Sequence, residues 1–222
     1  VKRLFRCRFV AILLCCFVPT LLWGGESTLC PPATEGVKIQ AQFATGRPFI
    51  DDHRSQGWIQ EQSKGMHHPI GLTVSRLQHT LLGVFEWRAT AEGEKRCLYL
   101  RSLRLDLSYP DLKVYIANNY RPGSCEYQAI YRHEMEHVRI LNQHQEGYVQ
   151  HLRDRLQSLA QKQKAVVLEK GMLEQKKQEI LQRLDQEVKR ELQRLDTKQK
   201  TAQAEIDTPR SYAQVRADCQ RW

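Results

Sequence analysis

The sequence predicts an α+β fold, with an antiparallel sheet in its first half and a long helical hairpin in its second. Two patterns carry that expectation. Between Val37 and Asn118 apolar and polar side chains mostly alternate, which is the period of a half-buried strand. Beyond Ser124 the apolar residues recur at seven-residue spacing between charged faces, which is the period of helices with one buried stripe.

The start of the chain stands apart from both patterns. Lys2, Arg3, Arg6 and Arg8 precede an apolar run of 15 residues from Phe9 to Trp23, which Gly24 and Gly25 close. A membrane-spanning helix needs roughly 20 apolar residues. Residues 1–24 therefore read as a cleavable secretory signal, leaving a periplasmic or secreted chain with no spanning segment; an uncleaved anchor is the alternative. No small residue precedes Cys15 or Cys16, so neither reads as a lipidation site.

Loss of the signal takes the formal charge from +9 to +5. The remaining basic residues alternate with Glu and Asp, which argues against nucleic acid as a partner. Cys7, Cys15 and Cys16 leave as well. Cys30, Cys97, Cys125 and Cys219 remain, an even number that predicts two disulfides in an exported protein. Of the three possible pairings, Cys97 with Cys125 and Cys30 with Cys219 is favoured.

Strands are expected at Val37–Phe43, Ile70–Leu77, Thr80–Ala89, Cys97–Ser108 and Leu112–Ala117. The polar stretch holding Gly57, Gly65 and Pro69 reads as loop. Ala91-Glu92-Gly93-Glu94 reads as a hairpin turn. Ser124 is placed to cap a helix, with Glu126 in its first turn facing the positive end of the dipole. Val138, Leu152, Leu159 and Val166 share one register; Leu181, Val188, Leu195 and Ala202 share a second, with Leu184 and Leu192 beside it. The two registers predict a coiled-coil hairpin turning near Gly171, with Pro209 ending its second arm.

The chemistry lies in His133-Glu134-Met135-Glu136-His137. Two histidines four apart share one face of a helix, so both imidazoles can reach one Zn²⁺ at about 2.0–2.1 Å. Glu134 stands beside them, where it can take a proton from water. Two unligated histidines on a surface helix are the alternative.

Cys125-Glu126-Tyr127 followed by Tyr131-Arg132-His133-Glu134-Met135-Glu136-His137 resembles an uncharacterised bacterial family described as secreted zinc-dependent proteases. The resemblance spans roughly Tyr109 to Tyr148, with an echo at Ile206-Asp207-Thr208. It implies a sheet preceding a zincin-like metal helix, His133 and His137 as ligands and Glu134 as general base.

A third ligand is not given by the motif. Ile140 and Gln143 stand where the metzincin extension would need Gly and His. His144 shares the helical face but lies about 10.5 Å beyond His137 along a continuous helix. The hairpin offers Asp207: it follows Lys170 by 37 residues, and Lys170 follows His133 by 37, so an antiparallel return brings Asp207 opposite His133. Glu205 would fall opposite Met135, and Asp207 is slightly favoured over it; a plain helix-end residue before Pro209 is the other reading.

These pieces divide the chain into a signal (1–24), a zincin-like domain (25–150), a coiled-coil extension (151–206) and a tail returning to the domain (207–222). The expected activity is hydrolysis of a peptide or protein substrate by zinc-activated water with Glu134 as base. Leu112–Ala117 is expected to take that substrate by strand addition. Tyr127, Tyr148 and His144 are the residues considered for oxyanion stabilisation. The competing expectation is a non-enzymatic envelope protein, stabilised by a structural zinc site and acting through a coiled-coil partner or self-association.

Overall fold

Residues 30–44, 46–63, 69–90, 93–220 and 222 are described by the structure, a computed structural model. The expected signal, with Cys7, Cys15 and Cys16, lies outside them. In chain order the elements are β1 (Lys38–Ala44), β2 (Phe49–Asp51), α1 (Gln56–Gln62), β3 (Gly71–Val74), β4 (Gln78–Ala89), β5 (Lys95–Ser108), β6 (Lys113–Ile116), α2 (Cys125–Gln143), α3 (Gln145–Lys162), β7 (Val166–Glu169), α4 (Leu173–Ile206) and α5 (Pro209–Ala217). Helices and sheets are thus mixed along the chain. Part of the stretch expected as loop forms β2 and α1. Ser55 caps α1 by accepting from the Trp58 N–H at 3.2 Å, and α1 buries Ile59.

Among the described residues there are two sheets, and neither is purely antiparallel. In the first, β5 pairs parallel with β1 and antiparallel with β4 and β7. In the second, β6 pairs parallel with β2 and antiparallel with β3. The expectation of an antiparallel sheet fails because alternation reports which face of a strand is buried, not which way its neighbour runs.

Strand β5 organises the larger core. Leu103, Leu105 and Leu107 face inward, and so do Leu98 and Leu100, but with a three-residue step between the two sets. That step is a β-bulge: Val84 pairs with Ser102 and Phe85 with Leu100, leaving Arg101 extra on β5. The guanidinium of Arg101 then reaches Glu86 at 2.7 Å.

Helices α3 and α4 lie on this inward face. Leu152, Leu156, Ile180, Leu184, Val188 and Leu195 join the five β5 leucines in one core. The seven-residue stripe is therefore covered by the protein's own sheet rather than projecting as an extension. Gly83 allows the approach of α4 to β4, since a Cβ there would meet Leu181 Cδ2 at 2.6 Å.

The hairpin turn also differs from expectation. α3 ends at Lys162, and the chain pairs as β7 with Lys95–Leu98 before a 3₁₀ turn at Lys170–Met172 leads into α4. Val166 sits in that strand, not on a helix. β-Branched Val166 and Val167 suit a pleated edge, and the open hydrogen-bonding side of β5 supplies the partner.

The disulfides join Cys30 to Cys97 and Cys125 to Cys219, not the favoured pairs. Cys97 lies on β5 of the first sheet, whereas Cys125 opens α2 against the second, so each finds its partner elsewhere. The segment after Cys30 runs beside β5, where Tyr99 Oη donates to the Pro31 carbonyl at 2.7 Å. Cys219 follows α5, which packs on α2. Each link closes a long loop, of sequence separation 67 and 94, and such loops stabilise by about 4 kcal/mol in the chain-entropy account. Two disulfides are consistent with an exported protein. Among the described residues no helix is long and apolar enough to cross a membrane.

Candidate metal centre

Helix α2 begins as its sequence predicts: the Ser124 hydroxyl accepts from the Tyr127 N–H at 3.1 Å, with Glu126 in the first turn. Ile130, Val138 and Leu141 anchor it on the second sheet. The turn between them carries His133, Glu134 and His137, of which Glu134 and His137 are buried.

Asp207 arrives from the far end of α4 as that helix's C-cap. The turn behind it is fixed by a capping box, in which the Thr208 side chain accepts from Ser211 N–H and the Ser211 side chain accepts from Thr208 N–H, each at 3.1 Å. Asp207 Oδ1 lies 3.3 Å from His133 Nε2 and 3.1 Å from His137 Nε2. The three ligand atoms lie within 4.8 Å of one another. Tetrahedral zinc with bonds near 2.05 Å separates its donor atoms by about 3.3 Å, which the two Asp207–imidazole distances of 3.3 and 3.1 Å match.

The hydrogen bonds around His137 test the fit independently. Gln203 Nε2 donates to the His137 backbone carbonyl at 3.1 Å, which turns its Oε1 toward His137 Nδ1. Nδ1 must then carry a proton, and a neutral ring leaves Nε2 as a bare lone pair. That lone pair faces a carboxylate oxygen. Only a cation between them, a second ring proton or a metal, makes the contact favourable. In addition Tyr212 Oη donates to the same Oδ1 at 3.0 Å, so one carboxylate oxygen meets three groups.

Electrostatics follow from burial and neighbours. Burial pushes the Glu134 carboxyl above its ordinary 4.5, against the pull of His137, His133 and the Thr73 hydroxyl. Burial opposes charge on His137, but Asp207 and Glu134 outweigh it and raise the imidazole above 6.5. Burial likewise opposes charge on Asp207, yet the two imidazoles hold it well below 3.8. The Tyr212 hydroxyl is pushed above 10, by burial first and by Asp207 next, so it remains a donor.

Thr73 Oγ1 donates to Glu134 Oε2 at 2.8 Å from strand β3, fixing the carboxylate from the sheet side. A cleft of about 170 Å³ opens here, with Gly71, Thr73, Glu134, His137, Gln203, Asp207 and Tyr212 among its lining.

The chain matches no family model, no curated protein and no solved structure.

The other residues considered from sequence lie elsewhere. α2 does break at His144, but His144 Nδ1 turns back to the Ile140 carbonyl at 3.0 Å. Glu205 is exposed. Tyr148 donates to the Leu195 carbonyl at 3.3 Å inside the core, and Tyr127 is hydrogen-bonded toward Asp52. Four site residues were not anticipated: Gly71, Thr73, Gln203 and Tyr212. A signal existed for Gln203, which lies one helical turn before Asp207 and so shares its face.

Proposed function

We propose that this chain is an exported zinc metallopeptidase of zincin-like design, with His133, His137 and Asp207 as ligands and Glu134 as general base. The observation that carries the reading is His137: its Nδ1 is committed to Gln203 and its Nε2 faces Asp207 Oδ1, a geometry that calls for a cation. Three protein ligands also leave a fourth position open, which is the pattern of a catalytic site rather than a closed structural one. A bound zinc ion would acidify water and polarise a carbonyl there.

The residues present suit the remaining tasks. Glu134 is buried, neighbours the ligands and is oriented by Thr73, and its raised basicity favours proton capture from water. The expected strand for substrate was Leu112–Ala117, but β6 is central, hydrogen-bonded to β2 on one side and β3 on the other. Strands β2 and β3 are the edges, and β3 lines the cleft beside Glu134. An extended peptide added to β3 would bring its backbone to the metal centre. Export is supported by the two disulfides and the basic-apolar start of the sequence. The non-enzymatic alternative loses ground because the stripe meant for a partner helix lies against β5.

Glu134→Gln keeps size and removes the base. Zinc analysis and hydrolysis of an unfolded-protein mixture are the test: the variant should hold zinc like wild type and lose at least about 10²-fold in rate. A wild type without zinc uptake, or a fully active variant, would remove the proposal.

A further inference from the structure

Hydrolysis of an amide places negative charge on the former carbonyl oxygen, and an enzyme needs a donor about 2.7–3.1 Å from where that charge develops. Among the donors lining the cleft, Gln199 Nε2 has no partner but is sealed from solvent, and Ser75 is exposed. The Thr73 proton goes to Glu134. Both ends of the Gln203 amide are engaged by His137. Lys200 is largely exposed and paired with Asp196 at 2.6 Å.

Tyr212 differs from these. Its ring lies tilted against His133 with centroids 5.2 Å apart, its hydroxyl reaches Asp207 Oδ1, and it lines the cleft that Glu134 lines. It also comes from a separate element: Glu134 is held from β3, Tyr212 from α5. The placement of α5 is built in by the Thr208–Ser211 capping box, by Cys125–Cys219 and by an Arg132–Asp218 ion pair at 2.8 Å.

We propose that Tyr212 is the hydrogen-bond donor that stabilises the substrate's developing oxyanion, an inference that rests on the peptidase reading above. In the step, Glu134 takes one proton of the attacking water, whose oxygen bonds to the carbonyl carbon. The carbonyl π electrons move onto oxygen, which accepts from Tyr212 Oη without removing its proton. On collapse those electrons re-form the carbonyl, the C–N bond breaks and Glu134 passes its proton to the leaving amine. Water is added and nothing is oxidised. An Asp207 oxygen that shares its lone pair with a cation is a weaker acceptor, which releases the Tyr212 proton for the substrate.

Tyr212→Phe retains the ring on His133 and removes only the donor. The probe is acetohydroxamate, whose anionic oxygens mimic the oxyanion; its binding is titrated on zinc-loaded full chain by calorimetry, alongside zinc affinity by chelator competition. The expected result is zinc affinity within about twofold of wild type and acetohydroxamate weakened by about 10-fold or more. Equal acetohydroxamate binding in the two proteins overturns the inference and leaves the peptidase reading standing. A zinc loss matching that of Asp207→Ala also overturns it, making Tyr212 a support for the ligand only. A wild-type chain that takes up no zinc overturns both.

Discussion

Gly71 and Glu134 touch in a way that leaves no room for a side chain: a Cβ at position 71 would stand 2.5 Å from Glu134 Oε1 and 2.8 Å from Ile130 Cγ2. Strand β3 can lie on α2 only because of this glycine. Gly71→Ala should therefore displace the Glu134 carboxylate, costing about 1–3 kcal/mol in stability through overpacking. Zinc content should stay normal while hydrolysis falls; a melting curve with metal analysis checks both, and an unperturbed, fully active variant would contradict the packing.

Asp207 and Gln203 act on the same imidazole at different distances from the metal position. Loss of a group that orients a ligand weakens zinc by about 10–100-fold, so Gln203→Leu should fall in that range. Asp207→Ala should weaken it further, and Glu205→Ala should change nothing, because Glu205 is exposed. Chelator competition ranks the three. Equal losses at 205 and 207 would show the ligand is misassigned.

The two disulfides should separate by function. Non-reducing peptide mapping is expected to return Cys30–Cys97 and Cys125–Cys219. Removing Cys30–Cys97 with paired serines should lower stability by a few kcal/mol with zinc affinity unchanged. Removing Cys125–Cys219 should lower zinc affinity as well, since it frees α5, which follows Asp207 directly.

In metal-free protein, pH should act through the same cluster with opposite signs. His137 is raised, so its contribution is complete below about pH 6.5 and is lost as pH climbs through the raised value. Asp207 is lowered, so its contribution holds above about pH 3.8 and is lost as pH falls through the lowered value. The cluster is thus most stabilising between those limits. On the ligand set proposed above, zinc would take the place of the His137 proton, so the rise in melting temperature on adding zinc should be larger at pH 8 than at pH 5.5. An equal or reversed difference would exclude His137 as a ligand.

Much of this centre could be read from sequence because it obeys local geometry. His133 and His137 are one turn apart, and Asp207 follows from counting along an antiparallel return. That count tolerated an error in the turn: the chain spends residues 163–172 on β7 and a 3₁₀ turn, yet α4 still delivers Asp207. What depended on distant pairing was less visible. Alternation in β1 shows a buried face but not that β5 runs parallel beside it. Cysteine parity shows two links but not which layer each thiol belongs to. Thr73 and Gly71 contact Glu134 only because β3 crosses α2, and no spacing in the sequence encodes that crossing. The three-residue step from Leu100 to Leu103, by contrast, was a legible sign of the bulge at Arg101.

The ligand set is split across 74 residues, and the segment that completes it is fastened by a cysteine later still. A chain made only as far as α3 would carry the whole His133–His137 motif yet lack Asp207. The cluster therefore cannot close until the chain has been made through Asp207, and the segment behind Asp207 is tied to α2 only once Cys219 has paired with Cys125. Whatever chemistry it performs, a cluster built in this order forms late in the making of the chain.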